Sequence, residues 1–164
     1  MTPSTKHQRL GLFAWLGLSL LAATLGAIAS VDAAHFYAQL TQPSWAPPAR
    51  AFGPVWSILY ALMGLAAWLV WRVGGLRHAQ TALSLFIAQL VLNTVWSWLF
   101  FRWHLGAWAM ADIALLWLLI AATVAAFWRI RPLAAALLIP YLLWVSFAIA
   151  LNYSVWQLNP HLLG

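Results

Sequence analysis

The sequence contains no cysteine, which removes disulfides, thiolate metal sites and a cysteine nucleophile from consideration. Charge is almost as scarce. Eight lysines and arginines and two acids leave only 6% of the 164 residues charged, whereas a soluble domain is about a quarter charged. A water-facing surface cannot be assembled from so few. No Walker, Rossmann or metalloprotease spacing occurs. All five histidines (His7, His35, His78, His104 and His161) fall in expected loops or termini. That leaves no buried pair for haem ligation, no metal site, and no histidine for serine–histidine–acid catalysis. A conventional enzyme is therefore disfavoured, and no cofactor is required by any motif.

What the chain has instead is apolar surface: 65% of it is hydrophobic, including 13 tryptophans. Uncharged runs cover 10–31, 51–71, 79–101 and 133–155, and 105–128 is interrupted only by Asp112. Each is 21 to 24 residues long, and about 20 suffice to cross the hydrocarbon core as a helix. The expected fold class is an all-α membrane protein, a five-transmembrane-helix bundle forming one domain over 1–164. Its helices should lie near 10–31, 54–71, 79–101, 106–128 and 133–155. A rival reading of the first run is a signal peptide, because Lys6, His7 and Arg9 precede it and Ala27-Ile28-Ala29 resembles a cleavage site. The run is longer than the roughly 7 to 15 residues of a signal core.

Lys6, Arg9, Arg72, Arg77, Arg129 and Arg131 fall on one side of such a bundle, and Arg50 and Arg102 on the other. This favours an integral, multi-pass protein with a cytoplasmic N-terminus, if the membrane is an inner or plasma membrane. The same distribution argues against nucleic acid as a partner, since the cations sit at span ends and line no groove.

Three of the connections are short and imply antiparallel neighbours. The first, a loop over 32–53, is too long for a simple turn. Its aromatics Phe36, Tyr37, Trp45 and Phe52 need burial, and Pro43, Pro47 and Pro48 stiffen it. It reads as a structured lid on one end of the bundle.

Polar groups inside spans should face helix interfaces or a cavity, and helical spacing shows which faces they mark. Gln89, Asn93 and Trp96 form one stripe, with Ser97 beside them. Trp56 and Tyr60 lie one turn apart, as do Trp108 and Asp112, and Trp144, Ala148 and Asn152 make a further stripe. Interhelical hydrogen bonding accounts for Gln89, Asn93 and Asn152 equally well. Trp45, Trp71, Trp103, Trp128 and Trp156, at span ends, suit an interfacial belt. Asp112 suits a cap or a pairing with Arg102, with a proton or ligand site as the alternative. Ser84 and Ala88 form a small-xxx-small pair, a weak mark of close helix contact. The faces together suggest a flat aromatic pocket with a few hydrogen-bonding groups, suited to a planar apolar ligand.

The segments QPSWAPP, FGPVWSILYALMG, AQLVLNTVWSWLFF, GAWAMADIALLW and PYLLWVSFAIALNYSVW, in this order, resemble the translocator protein family, also called TspO, the tryptophan-rich sensory proteins or the peripheral-type benzodiazepine receptors. The resemblance implies a five-helix bundle in the membrane lipid, commonly a homodimer, whose first loop closes over a ligand pocket. It implies porphyrin ligands such as protoporphyrin IX and haem-type tetrapyrroles, and drug-like isoquinolines or benzodiazepines. The family pattern would place ligand-binding positions at Trp45, Pro47, Trp56, Tyr60, Asn93, Trp96, Phe100, Trp108, Trp144, Phe147 and Ala148. It implies tetrapyrrole transport or sensing as the function. Alternatives are light- and oxygen-dependent porphyrin breakdown through Trp56 and Trp144, and a membrane scaffold. The sterol motif of the family's animal members is incomplete: Leu151 and Tyr153 are present, but no basic residue follows within five positions. A specific sterol site is therefore doubtful.

Overall fold

A computed structural model describes residues 5–164. In chain order its α-helices are α1 (Thr5–Ala29), α2 (Ala33–Gln39), α3 (Phe52–His78), α4 (Gln80–Ser97), α5 (Gly106–Ile130), α6 (Pro132–Leu158) and α7 (Pro160–Leu163). A 3-10 turn at Ala49–Ala51 leads into α3, and a π-helical turn at Trp98–Arg102 ends α4. The five long helical segments are each long and apolar enough to cross a membrane. Helix is the form such runs must take in lipid, because it satisfies every backbone amide within the segment. Around the bundle, α1 packs on α3, α3 on α6, α6 on α5, α5 on α4, and α4 back on α1.

Several helices outrun the apolar stretches. The first span, α1, begins at Thr5, the second, α3, continues to His78 and the fifth, α6, to Leu158. An uncharged run ends where charge begins, but the backbone stays helical while long cationic side chains reach the interface. Arg72, for example, lies over the Trp68 ring at 4.6 Å. His7, His35, His78 and His161 consequently sit in helices near their ends rather than in loops. The second span breaks at Gly74 and Gly75, the latter with φ of 72°, which suits glycine.

Close approach substitutes for the hydrophobic effect where lipid is the solvent. A Cβ on Gly11 would fall 2.1 Å from the Trp71 ring, and one on Gly64 would fall 2.9 Å from the Leu16 Cα. Those contacts seat α1 in the bundle as a span. The main core gathers around Met63, Phe86, Phe127 and Tyr141, and a second cluster joins the lid residues Phe36, Tyr37 and Leu40 to Phe100 and Leu163.

Candidate functional site

Below the first loop the helices leave a cavity of about 550 Å³, within the range of small-molecule sites. Trp56 and Tyr60 of α3 face it, as do Asn93 and Trp96 of α4, Phe100 of the π turn, and Trp144 and Ala148 of α6. The π turn places Phe100 in line with Trp96, their rings stacked at 5.3 Å and 13°. Such turns recur at functional sites because the extra residue re-aims the side chains after it. On the facing wall Trp56 tilts against Tyr60 at 5.7 Å and meets Tyr141 edge-on at 6.2 Å.

A file of buried polar groups runs from this wall into the core. The Tyr60 hydroxyl donates to Asn93 Oδ1 at 2.6 Å, and Asn93 Nδ2 donates to the Tyr141 hydroxyl at 2.8 Å. Tyr141 then donates to Gln89 Oε1 at 2.7 Å, and Gln89 Nε2 points to Met63 Sδ at 3.9 Å. Each polar group therefore has a partner, which removes the desolvation penalty of leaving it bare. A second link joins Trp96 Nε1 to Asn152 Oδ1 at 3.2 Å. Interhelical bonding is thus what the Gln89, Asn93 and Asn152 side chains do here, while Asn93 and Asn152 also face the cavity.

The lid is built from the expected loop, although α2 and the 3-10 turn make much of it helical. Tyr37 lines the cavity and donates through its hydroxyl to the Pro47 carbonyl at 3.2 Å. Burial raises the pKa of this phenol above its ordinary value, so it remains a neutral donor. Phe36 stacks on His104 at 4.0 Å and 17°, and His104 itself adopts a positive φ of 55°. Asn159, just beyond α6, grips the loop from below: its Oδ1 accepts from the Thr41 N–H at 2.8 Å and its Nδ2 donates to the Thr41 carbonyl at 2.9 Å.

Four of the eleven positions picked from the sequence lie outside the cavity wall. Trp45 and Phe147 pack edge-on at 5.7 Å, and Phe147 in turn tilts against Trp144 at 5.4 Å, so both stand behind the wall. Pro47 contributes its carbonyl to Tyr37. Trp108, in the first turn of α5, is 68% exposed and lies outside the cavity wall. Asp112, one turn on, is buried, yet among the described residues its Oδ2 has no hydrogen-bond partner and it forms no ion pair with Arg102, so the anticipated cap or pairing is not seen there. Leu151 lines the cavity while Tyr153 is exposed, so the two residues of the truncated sterol pattern face different surroundings.

Sequence reasoning missed Tyr141, Asn159, His104 and the whole contribution of α1, where Gly26 and Ala27 line the cavity. Tyr141 was within reach: it extends the Trp144, Ala148, Asn152 stripe by one turn toward the N-terminus. The others carry no signal of type or spacing.

Comparison with known proteins gives a consistent result. The model of the TspO/MBR family matches residues 15–157. The translocator protein of Sus scrofa is 43% identical over 127 residues, covering 76% of this chain and 75% of its own. The tryptophan-rich protein TspO of Chlorobaculum tepidum is 41% identical over 155 residues, or 93% of this chain and 98% of its own. The tryptophan-rich sensory protein of Cereibacter sphaeroides is 39% identical over 137 residues, 84% of each chain.

Proposed function

This chain belongs to the TspO/MBR family, and we propose that it is a membrane receptor for porphyrins and similar planar apolar ligands, acting in tetrapyrrole transport or sensing. The observation that carries the reading is the cavity itself: two aromatic walls, Trp56 with Trp144 and Trp96 with Phe100, around two buried amides, Asn93 and Asn152. Flat rings bury large area against such walls and gain from stacking. The Tyr60 oxygen donates to Asn93, which leaves its lone pairs to accept from an N–H or O–H of the ligand. A sensing role is in keeping with the name of the Cereibacter sphaeroides relative.

Equilibrium titration of protoporphyrin IX against the purified protein in nanodiscs tests this. Tryptophan fluorescence should be quenched saturably, with about one ligand per chain. Linear, unsaturable quenching would remove the receptor reading and leave the scaffold.

A second reading is favoured by the presence of both Trp56 and Trp144 in the wall: indole oxidation beside a bound porphyrin, under light and oxygen, would make the protein a porphyrin-degrading catalyst. Illumination should then yield a product spectrum absent from free porphyrin and lost in the Trp144→Phe variant. Bleaching identical to that of free porphyrin would dismiss it.

The excess of cations at the N-terminal end of α1 and at the α3–α4 and α5–α6 connections supports a cytoplasmic location for that side, with the lid on the opposite side. A dimer through α4 is a further part of the proposal, since Ser84 is exposed and Ala88 half-buried there.

A further inference from the structure

Helices α1 and α3 pack tightly at one end and more loosely at the other. Near the start of α1, a Cβ on Gly11 would lie inside the Trp71 ring contact at 2.1 Å, and one on Gly64 would reach the Leu16 backbone at 2.9 Å. Trp68 Nε1 also donates to the Gln8 carbonyl at 2.8 Å. Toward the lid the packing loosens. A Cβ on Gly26 would lie 3.3 Å from Ser97 Oγ of α4 and only at 4.0 Å from the Tyr60 hydroxyl of α3, and one on Gly53 would meet nothing within 4 Å. This looser half of the α1–α3 contact lies beside the cavity, which Gly26, Gly53 and Tyr60 all line.

The cavity lining shows the same gap from inside. Its exposed members are Leu20, Ala27, Val31, Ala34, Gly53 and Ser57, all from α1, α2, α3 and the turn after α1. None of the lining residues from α4, the π turn or α6 is exposed. Leu20 on α1, 59% exposed, and Val31 in the turn after it, 78% exposed, mark the two ends of the gap. The remaining four are small, so the rim is low where the far walls are aromatic. Leu20, Ala27, Gly53 and Ser57 all belong to segments apolar and long enough to span the membrane. The opening therefore faces hydrocarbon.

The end of the bundle under the lid is fastened instead. Thr41 is held twice by Asn159, Phe36 is stacked on His104, and Trp45 is packed against Phe147. A ligand arriving from water by that route would have to break these contacts, whereas one dissolved in the bilayer would break none.

We propose that the seam between α1 and α3 is a lateral entrance through which a planar apolar ligand dissolved in the bilayer enters the cavity edge-first while the lid stays closed. The proposal rests on the receptor reading above. Because the chain has no cysteine of its own, the entrance can be closed chemically. Ala27→Cys with Ser57→Cys, bridged by a reducible bis-methanethiosulfonate reagent in nanodiscs, places a strap across the gap, and each single variant carrying the same reagent controls for bulk. Protoporphyrin IX binding is then followed by stopped-flow tryptophan quenching and by equilibrium titration. The bridged protein should bind and release porphyrin about tenfold more slowly or worse, with an affinity within about threefold of the unbridged form, and reduction should restore both rates. Saturable binding with unchanged rates in the bridged protein would overturn the entrance and leave the pocket standing. Absence of saturable binding before bridging would overturn both.

Discussion

Asn159 and Thr41 stand 118 positions apart and are joined by two hydrogen bonds, one from the Thr41 N–H and one to the Thr41 carbonyl. The amide of Asn159 thus stands in for a neighbouring strand, satisfying backbone groups that a loop would otherwise leave to water. It is tied to the bundle in its turn, since its Nδ2 also donates to the Val155 carbonyl at 2.7 Å. The lid's position is consequently set by the end of α6 rather than by its own short helix.

Replacing that amide should free the lid. Asn159→Leu removes two bonds to Thr41, together worth about 2 kcal/mol, so amide exchange at Thr41 should accelerate by roughly 30-fold. Asn159→Asp keeps an acceptor for the Thr41 N–H and should fall between. Exchange at Thr41 unchanged in the leucine variant would show that the lid is held elsewhere.

The aromatic walls can be ranked against a tryptophan on the outside. Trp56→Phe and Trp144→Phe should each weaken protoporphyrin IX binding by about three- to tenfold, the scale of an aromatic contact of roughly 0.5–1.5 kcal/mol. Trp128, exposed on α5, should tolerate the same change. Equal affinities across the three variants, measured by titration in nanodiscs, would contradict the cavity assignment.

Asn93 is the joint of the buried polar file. Asn93→Leu leaves the Tyr60 hydroxyl without its acceptor and should cost about 1–3 kcal/mol of stability. Adding Tyr60→Phe removes the orphaned donor, so the double variant should be more stable than the sum of the single losses implies. Strict additivity in detergent-mediated unfolding would mean that the two groups are not coupled.

Glycine contact at the closed end of the α1–α3 seam gives a prediction that involves no ligand. Gly64→Val puts side-chain atoms where the Leu16 backbone lies 2.9 Å from a Cβ, so overpacking should destabilise the bundle by about 1–3 kcal/mol. Gly17 has open space around it, and Gly17→Val should be nearly neutral. Thermal unfolding of the two variants side by side decides it.

The five spans could be read from the sequence because a run of some 20 uncharged residues has few alternatives in a membrane. Their ends could not. Lys6, Arg72 and Arg77 interrupt hydropathy without interrupting helical hydrogen bonding, so α1 and α3 extend beyond the runs that announce them. Stripe reasoning found Asn93 and Trp96 because a polar group in lipid must face protein, and Trp96 sits one turn beyond it. The same reasoning grouped Trp108 with Asp112, yet Trp108 is exposed while Asp112 is buried, because a four-residue spacing puts two side chains on one face without fixing how deeply each is covered. Alanines and glycines of α1 were silent for a different reason. They shape the cavity by what they lack, and a small apolar residue in an apolar run looks the same whether it borders a cavity or lipid.

The file from Tyr60 through Asn93 and Tyr141 to Gln89 and Met63 has a consequence for proton transfer. Hydroxyl groups can hand a proton along, but a carboxamide has no proton to release at neutral pH, and a thioether has none at all. Asn93 separates the two phenols, and the file ends on Gln89 and sulfur. The bundle can therefore satisfy a row of polar groups in its interior without those side chains forming a proton wire of their own.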